Sequence, residues 1–129
     1  MSVIIIMKAF LLVFLGGGLG SGLRYLATLT MNQYSKFFPF GTFTVNMLGC
    51  LLIGLILGYA QKENTLTSNQ ILLMTTGFCG GFTTFSAFAN ENLELLKNGD
   101  FFNFTLYTLT SIFIAMVLIY TGYAIAGKI

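Results

Sequence analysis

The chain has no histidine, no tryptophan and a single proline, and only 8% of its 129 residues are charged. Each shortage removes a class of function. Without histidine, and with only four acids (Glu63, Glu91, Glu94 and Asp100) spread along the chain, no transition-metal cluster and no acid–base pair is justified by spacing, so an enzyme is not expected. The two cysteines, Cys50 and Cys79, lie inside apolar runs, where small buried hydrophobes are expected rather than a disulfide framework or a reactive thiol. A dispersed net charge of +2 argues against nucleic acid as a partner. A soluble domain carries about a quarter of its residues charged. With 56% hydrophobic residues and so little charge, the solvent of this chain is the lipid bilayer.

What is present is a set of four long apolar segments, approximately Val3 to Met31, Phe38 to Ala60, Ser68 to Leu96 and Phe101 to Ala126. Each reaches the roughly 20 residues that a helix needs to cross a bilayer. The polar connectors, Asn32 to Lys36, Gln61 to Thr67 and Lys97 to Asp100, are short. The expected fold is an all-α integral membrane protein: a single four-helix transmembrane domain over residues 1–129, with spans 3–31, 38–60, 68–96 and 101–126 and both termini on one side. The first span is not read as a cleaved leader, because its positive residue, Arg24, comes late and no small-residue cleavage motif ends it. Met7-Lys8 would also make an initiator with a basic flank, so Met1 and Met7 both stand as possible starts.

Lys8, Lys62 and Lys128 fall on the terminal side, Lys36 and Lys97 on the other. Three against two is a weak positive-inside signal. A chain inserted both ways can assemble as an antiparallel, dual-topology homodimer, the two-chain version of the inverted repeats within larger transporters.

The third span contains Gly77-Phe78-Cys79-Gly80-Gly81-Phe82-Thr83-Thr84-Phe85-Ser86-Ala87-Phe88, so this helix is expected to be broken near its middle. Inside a bilayer an interruption survives only where protein, an ion or a water-filled cavity satisfies the freed backbone groups. Channels and transporters use such breaks to present backbone dipoles to ions. Phe85 and Phe88, one turn apart, share a face of the helix that restarts after it. Such rings are usually packing, yet a phenyl ring has a positive edge that can meet a small anion.

Gly16/Gly20, Gly18/Gly22 and Gly54/Gly58 have the small-xxx-small spacing that lets helices approach closely. Arg24, within an apolar span, either snorkels to the interface or lines an aqueous vestibule. Thr42 and Asn46 share a face of the second span, where Asn46 is either interhelical glue or a donor to a pore. Tyr107 and Ser111 repeat the i, i+4 spacing with hydroxyls in the fourth span. Glu91 and Glu94 lie towards the end of the third span, as interface anchors, and Glu91 is also a candidate for contact with the pathway. Neutral N–H and O–H donors and ring edges replace an anion's hydration shell without trapping it.

These residues resemble the Fluc (CrcB-type) fluoride channels over nearly the whole chain. The resemblance rests on the glycine-rich run ending in Arg24-Tyr25, on Gly41-Thr42-Phe43-Thr44-Val45-Asn46 with Gly49, and on the motif from Gly77 to Phe88. It implies a passive, highly selective fluoride channel in the cell (inner) membrane, an antiparallel homodimer with two pores that relieves fluoride toxicity. By motif, Asn46 would line the pore, Phe85 and Phe88 would meet fluoride, Thr42 would be a neighbouring polar contact, and Tyr107 and Ser111 would match a polar track. The resemblance further implies a structural sodium ion on the dimer axis, held by the carbonyls of Gly80 and Thr83, and places Arg24 at the vestibule. Ala87 departs from the family, which commonly has a hydroxyl there.

The alternative is a small proton-coupled multidrug exporter, also built from four short spans. It needs a carboxylate deep in a helix, typically the first, where this chain has Arg24 and no acid. A non-transporting assembly factor would explain the glycines but not the hydroxyl and phenyl stripe. No G-x-x-x-x-G-K-[ST] motif is present, so ATP is not expected to drive the process.

Overall fold

The computed structural model describes residues 2–34, 38–62 and 65–128, and every regular element among them is helical. Lys36 and Glu63, used in the charge and acid counts above, lie outside the described residues. Helix α1 spans Val3–Met31, α2 spans Phe40–Ala60, and α6 spans Phe101–Lys128. Between them the third apolar segment is built in pieces: α3 (Ser68–Leu72), a wider π-helical stretch (Leu73–Cys79), α4 (Gly80–Phe82) and α5 (Phe85–Lys97). Among the described residues four helical segments, Val3–Met31, Phe40–Ala60, Ser68–Lys97 and Phe101–Lys128, are long and apolar enough to cross a membrane, and the chain is a multi-pass membrane protein.

Local chemistry sets the ends of these elements. The second span was expected from residue 38, but its helix begins at Phe40 with Pro39 as its N-cap. Proline has no N–H to donate and is at home where helical donors have no partner. Thr67 and Gln70 form a reciprocal capping box at the start of α3, satisfying two free N–H groups at once. Gly99, with φ +71°, ends α5; its N–H donates to Leu96 O (3.0 Å) and that of Asp100 to Leu95 O (2.9 Å). This left-handed turn is one that glycine adopts without a Cβ clash. Asp100 then accepts the Asn103 N–H at 3.1 Å and opens α6.

Packing follows the small residues. The most extensive helix contact is between α2 and α6, and α1 packs chiefly on the π-helical stretch and α4. A Cβ added at Gly16 would lie 2.5 Å from Leu73 O and 2.8 Å from Phe78 N; one at Gly54 would collide with Ile119 O on α6. These are close backbone approaches that any larger residue would push apart. Gly18 and Gly22, the other pair with that spacing, have nothing within 4 Å. Val45, Cys79, Thr42 and Tyr107 are the largest fully buried side chains, whereas α1 buries only Gly16 and Gly20. The apolar face it turns outward is what a helix bathed in lipid carries.

Candidate functional site

The site begins where the helical ladder stops. Thr83 (φ −85°, ψ 159°) and Thr84 (φ −152°, ψ 121°) are extended between α4 and α5; the Thr83 N–H still reaches Cys79 O at 2.9 Å, but the backbone groups of Thr84 must find partners elsewhere. Asn46 of α2 supplies two: its Oδ1 accepts from Thr84 N at 2.7 Å and its Nδ2 donates to Thr84 O at 3.1 Å. The side-chain amide stands in for a missing turn of peptide. Thr84 Oγ1 accepts from Ala87 N at 3.1 Å and caps α5. On the opposite side of the break Arg24 Nε donates to Gly81 O at 3.0 Å, joined by Ser21 Oγ at 3.3 Å. Half-buried Arg24 is thus tied to the backbone of the interrupted segment.

Beside this break lies a pocket of about 280 Å³ whose lining includes Asn46, Thr83, Phe85, Phe88 and Ser111. Four of the six residues expected along an anion path, Asn46, Phe85, Phe88 and Ser111, therefore share one cavity. Asn46 has a second amide N–H beyond the one given to Thr84. Ser111 Oγ is buried and has no hydrogen-bond partner among the described residues. Phe85 is 79% exposed in the single chain, so this side of the pocket is open.

From the pocket a series of rings leads into the bundle. Centroids are 5.6 Å apart for Phe85 and Phe88, 5.1 Å for Phe88 and Tyr107, and 5.2 Å for Tyr107 and Phe38. The rings meet tilted or edge-on, with interplanar angles of 44°, 59° and 74°. Such geometry turns positive ring edges as well as faces toward the line between them. Beside the third of these rings Glu91 takes two hydroxyl hydrogen bonds, from Thr42 Oγ1 at 2.5 Å and Tyr107 OH at 2.7 Å. Thr42 and Tyr107, the other two expected residues, thus converge on Glu91 rather than on the pocket itself. Glu94 points elsewhere, to an exposed pair with Lys97 at 3.0 Å.

Gly80 is exposed, and Thr83 is half-buried on the pocket wall. Sequence reasoning did not single out Ser21, Asn92 or Thr108. Asn92 is buried, donates through Nδ2 to Phe88 O at 3.0 Å and accepts from Thr108 Oγ1 at 3.0 Å. Its i+4 position after Phe88 was the available signal.

The family model described as CrcB-like protein, Camphor Resistance (CrcB), matches residues 11–123. This chain belongs to the CrcB family. Among its relatives in the family, a protein of Flavobacterium psychrophilum is 46% identical over 124 residues, covering 95% of this chain and all of the relative. One from Phocaeicola vulgatus is 48% identical over 118 residues, covering 90% and 96% of the two chains. A third, from Bacteroides fragilis, is 43% identical over 120 residues, covering 90% and 94%. Each of these three CrcB relatives carries the name fluoride-specific ion channel FluC.

Proposed function

We propose that the chain is a passive, fluoride-selective channel that lets cytoplasmic fluoride leave the cell across the inner membrane. One observation carries the proposal: a pocket that joins a spare amide N–H of Asn46 and the unpartnered hydroxyl of Ser111 to the Phe85 and Phe88 rings, with the Tyr107 ring packed beyond Phe88. These donors are neutral, so they can replace the hydration shell of a small anion without holding it. The names of the FluC relatives supply the ion. Fluoride entering as HF dissociates inside, and the membrane potential then drives the anion outward by about 2.3 kcal/mol per 100 mV.

In this proposal two copies pair antiparallel and form two pores. The exposed Phe85 ring, beside the open side of the pocket, is the surface a second copy would cover. Arg24, fixed to Gly81 O, would add its charge at the vestibule and draw anions toward the path. A structural sodium ion would be held by the carbonyls of Gly80 and Thr83. The donor chemistry fits: ψ of 159° at Thr83 turns its C=O out of the helical ladder, and Gly80 is exposed. Carbonyl oxygens suit a hard monovalent cation, and two per copy give four ligands that would lock the interrupted segments together.

Glu91 is the observation that favours a second reading, proton-coupled export, since it places a half-buried carboxylate in a span. Efflux from liposomes containing the purified protein separates the two. Fluoride efflux without chloride efflux, at a rate independent of an imposed proton gradient, supports the channel. An absolute requirement for protons would refute it.

A further inference from the structure

We infer that Asn92 and Thr108 are positioning residues for the permeation path: their side-chain bond fixes the rotation of α5 against α6 and so seats the Phe88 ring. The inference rests on the path proposed above. Helix α5 is poorly anchored, with Asn92 as its one buried residue among the described residues. Besides the contact of the Phe88 and Tyr107 rings, its hydrogen-bonded hold on α6 comes through two adjacent residues on each side. Glu91 accepts from Tyr107 OH at 2.7 Å, and Asn92 Oδ1 accepts from Thr108 Oγ1 at 3.0 Å.

Consecutive helical residues project about 100° apart, so two such bonds fix azimuth as well as height, where one would leave a pivot. The other end of the Asn92 amide reaches back one turn and holds Phe88 O at 3.0 Å. Phe88 therefore receives a direct tether from the residue that Thr108 holds. Its ring lies 5.1 Å from that of Tyr107, the neighbour of Thr108 in the chain. Rotating α5 about the Glu91 contact would carry the Phe88 ring off Tyr107 and out of the pocket it lines.

Thr108→Val keeps the side-chain shape and removes the hydroxyl; Thr108→Ser keeps the hydroxyl. The balance between seated and displaced ring should shift by about threefold, up to about twentyfold, the measured range for interhelical hydrogen bonds in membranes. Fluoride efflux from liposomes should fall by up to that factor in T108V and stay close to wild type in T108S. A structural readout accompanies it, the 19F resonance of 4-fluorophenylalanine placed at position 88 of the full chain. This line should shift or split in T108V and return to its original position in T108S. Asn92→Leu is the second variant, with the same expectation as T108V, should T108V fail to fold.

A resonance unmoved in the folded variants lacking the bond overturns the inference whatever the flux. So does a T108S protein as impaired as T108V. A wild-type protein that passes no fluoride overturns the channel reading instead, and the resonance still decides the positioning role.

Discussion

Replacing Asn46 with leucine keeps the branched heavy-atom skeleton of the side chain and removes both bonds to Thr84, at 2.7 and 3.1 Å. The N–H and C=O of an extended residue inside the membrane then lose their partner together. A stranded buried polar group costs about 1–3 kcal/mol, so two give an upper range of about 2–6 kcal/mol, and water in the adjoining pocket can relieve one of them. The expected loss is therefore about 3 kcal/mol, which for a chain of this size lowers the unfolding midpoint by about 10 °C. The chain has its own reporter: Cys79 is fully buried, and a thiol-reactive dye labels it only on unfolding. Cys50, which lines the pocket, would be replaced by alanine in every protein compared. Thr84→Ala is the control, since it leaves the backbone groups and the Asn46 bonds in place. Losing its cap on Ala87 N costs about 1 kcal/mol. Were Asn46→Leu to melt with the wild type, or no lower than Thr84→Ala, the idea that the amide replaces a missing turn would be wrong.

Phe88→Ile and Phe85→Ile remove ring edges from the path. Contacts on the scale of an aromatic pair, about 0.5–1.5 kcal/mol, predict a two- to tenfold fall in fluoride efflux with the proposed dimer intact by crosslinking; undiminished flux in both variants would remove the ring-edge mechanism. Tyr107→Phe takes a hydroxyl donor from Glu91 Oε2 and should cost about 1–3 kcal/mol in thermal unfolding. Gly54→Ala forces a Cβ against Ile119 O and should destabilise the α2–α6 contact by about 1–3 kcal/mol, read in the same dye assay. At the loop, hydrogen bonds from the Asn103 side chain and backbone hold the Asp100 carboxyl below the usual carboxylate range. A depressed folded-state pKa contributes stability above the unfolded value, about 3.9, which is lost as pH falls through the folded one. Asp100→Asn should flatten that acid-side loss, measured as the unfolding midpoint between neutral pH and pH 3.

The four spans were legible because lipid demands long uninterrupted apolar runs, and the Gly16/Gly20 contact because small residues four apart share a helix face. The end of α2 shifted by two residues, since hydropathy counts Phe38 as apolar while Pro39 decides where helical hydrogen bonding begins. The π-helical winding of Leu73–Cys79 had no signal of its own; this stretch packs against the Gly16 face of α1. Thr42 and Asn46 were seen to share a face, yet their partners were hidden, because Thr84 and Glu91 are 38 and 49 residues away. Side-chain spacing within a helix reports what faces the same way, not what it faces. Glu91 illustrates this: near a helix end it looks like an interface anchor, and only the fold brings Thr42 and Tyr107 to it.

In the proposed channel this arrangement of neutral donors and ring edges passes fluoride and refuses chloride. The most direct test is anion efflux from liposomes reconstituted with the purified protein, recorded with fluoride and chloride electrodes while a potassium ionophore clamps the voltage. A fluoride-selective channel gives fast fluoride efflux, no chloride efflux above empty liposomes, and no need for a proton gradient. Equal efflux of both anions, or none of fluoride, would contradict it.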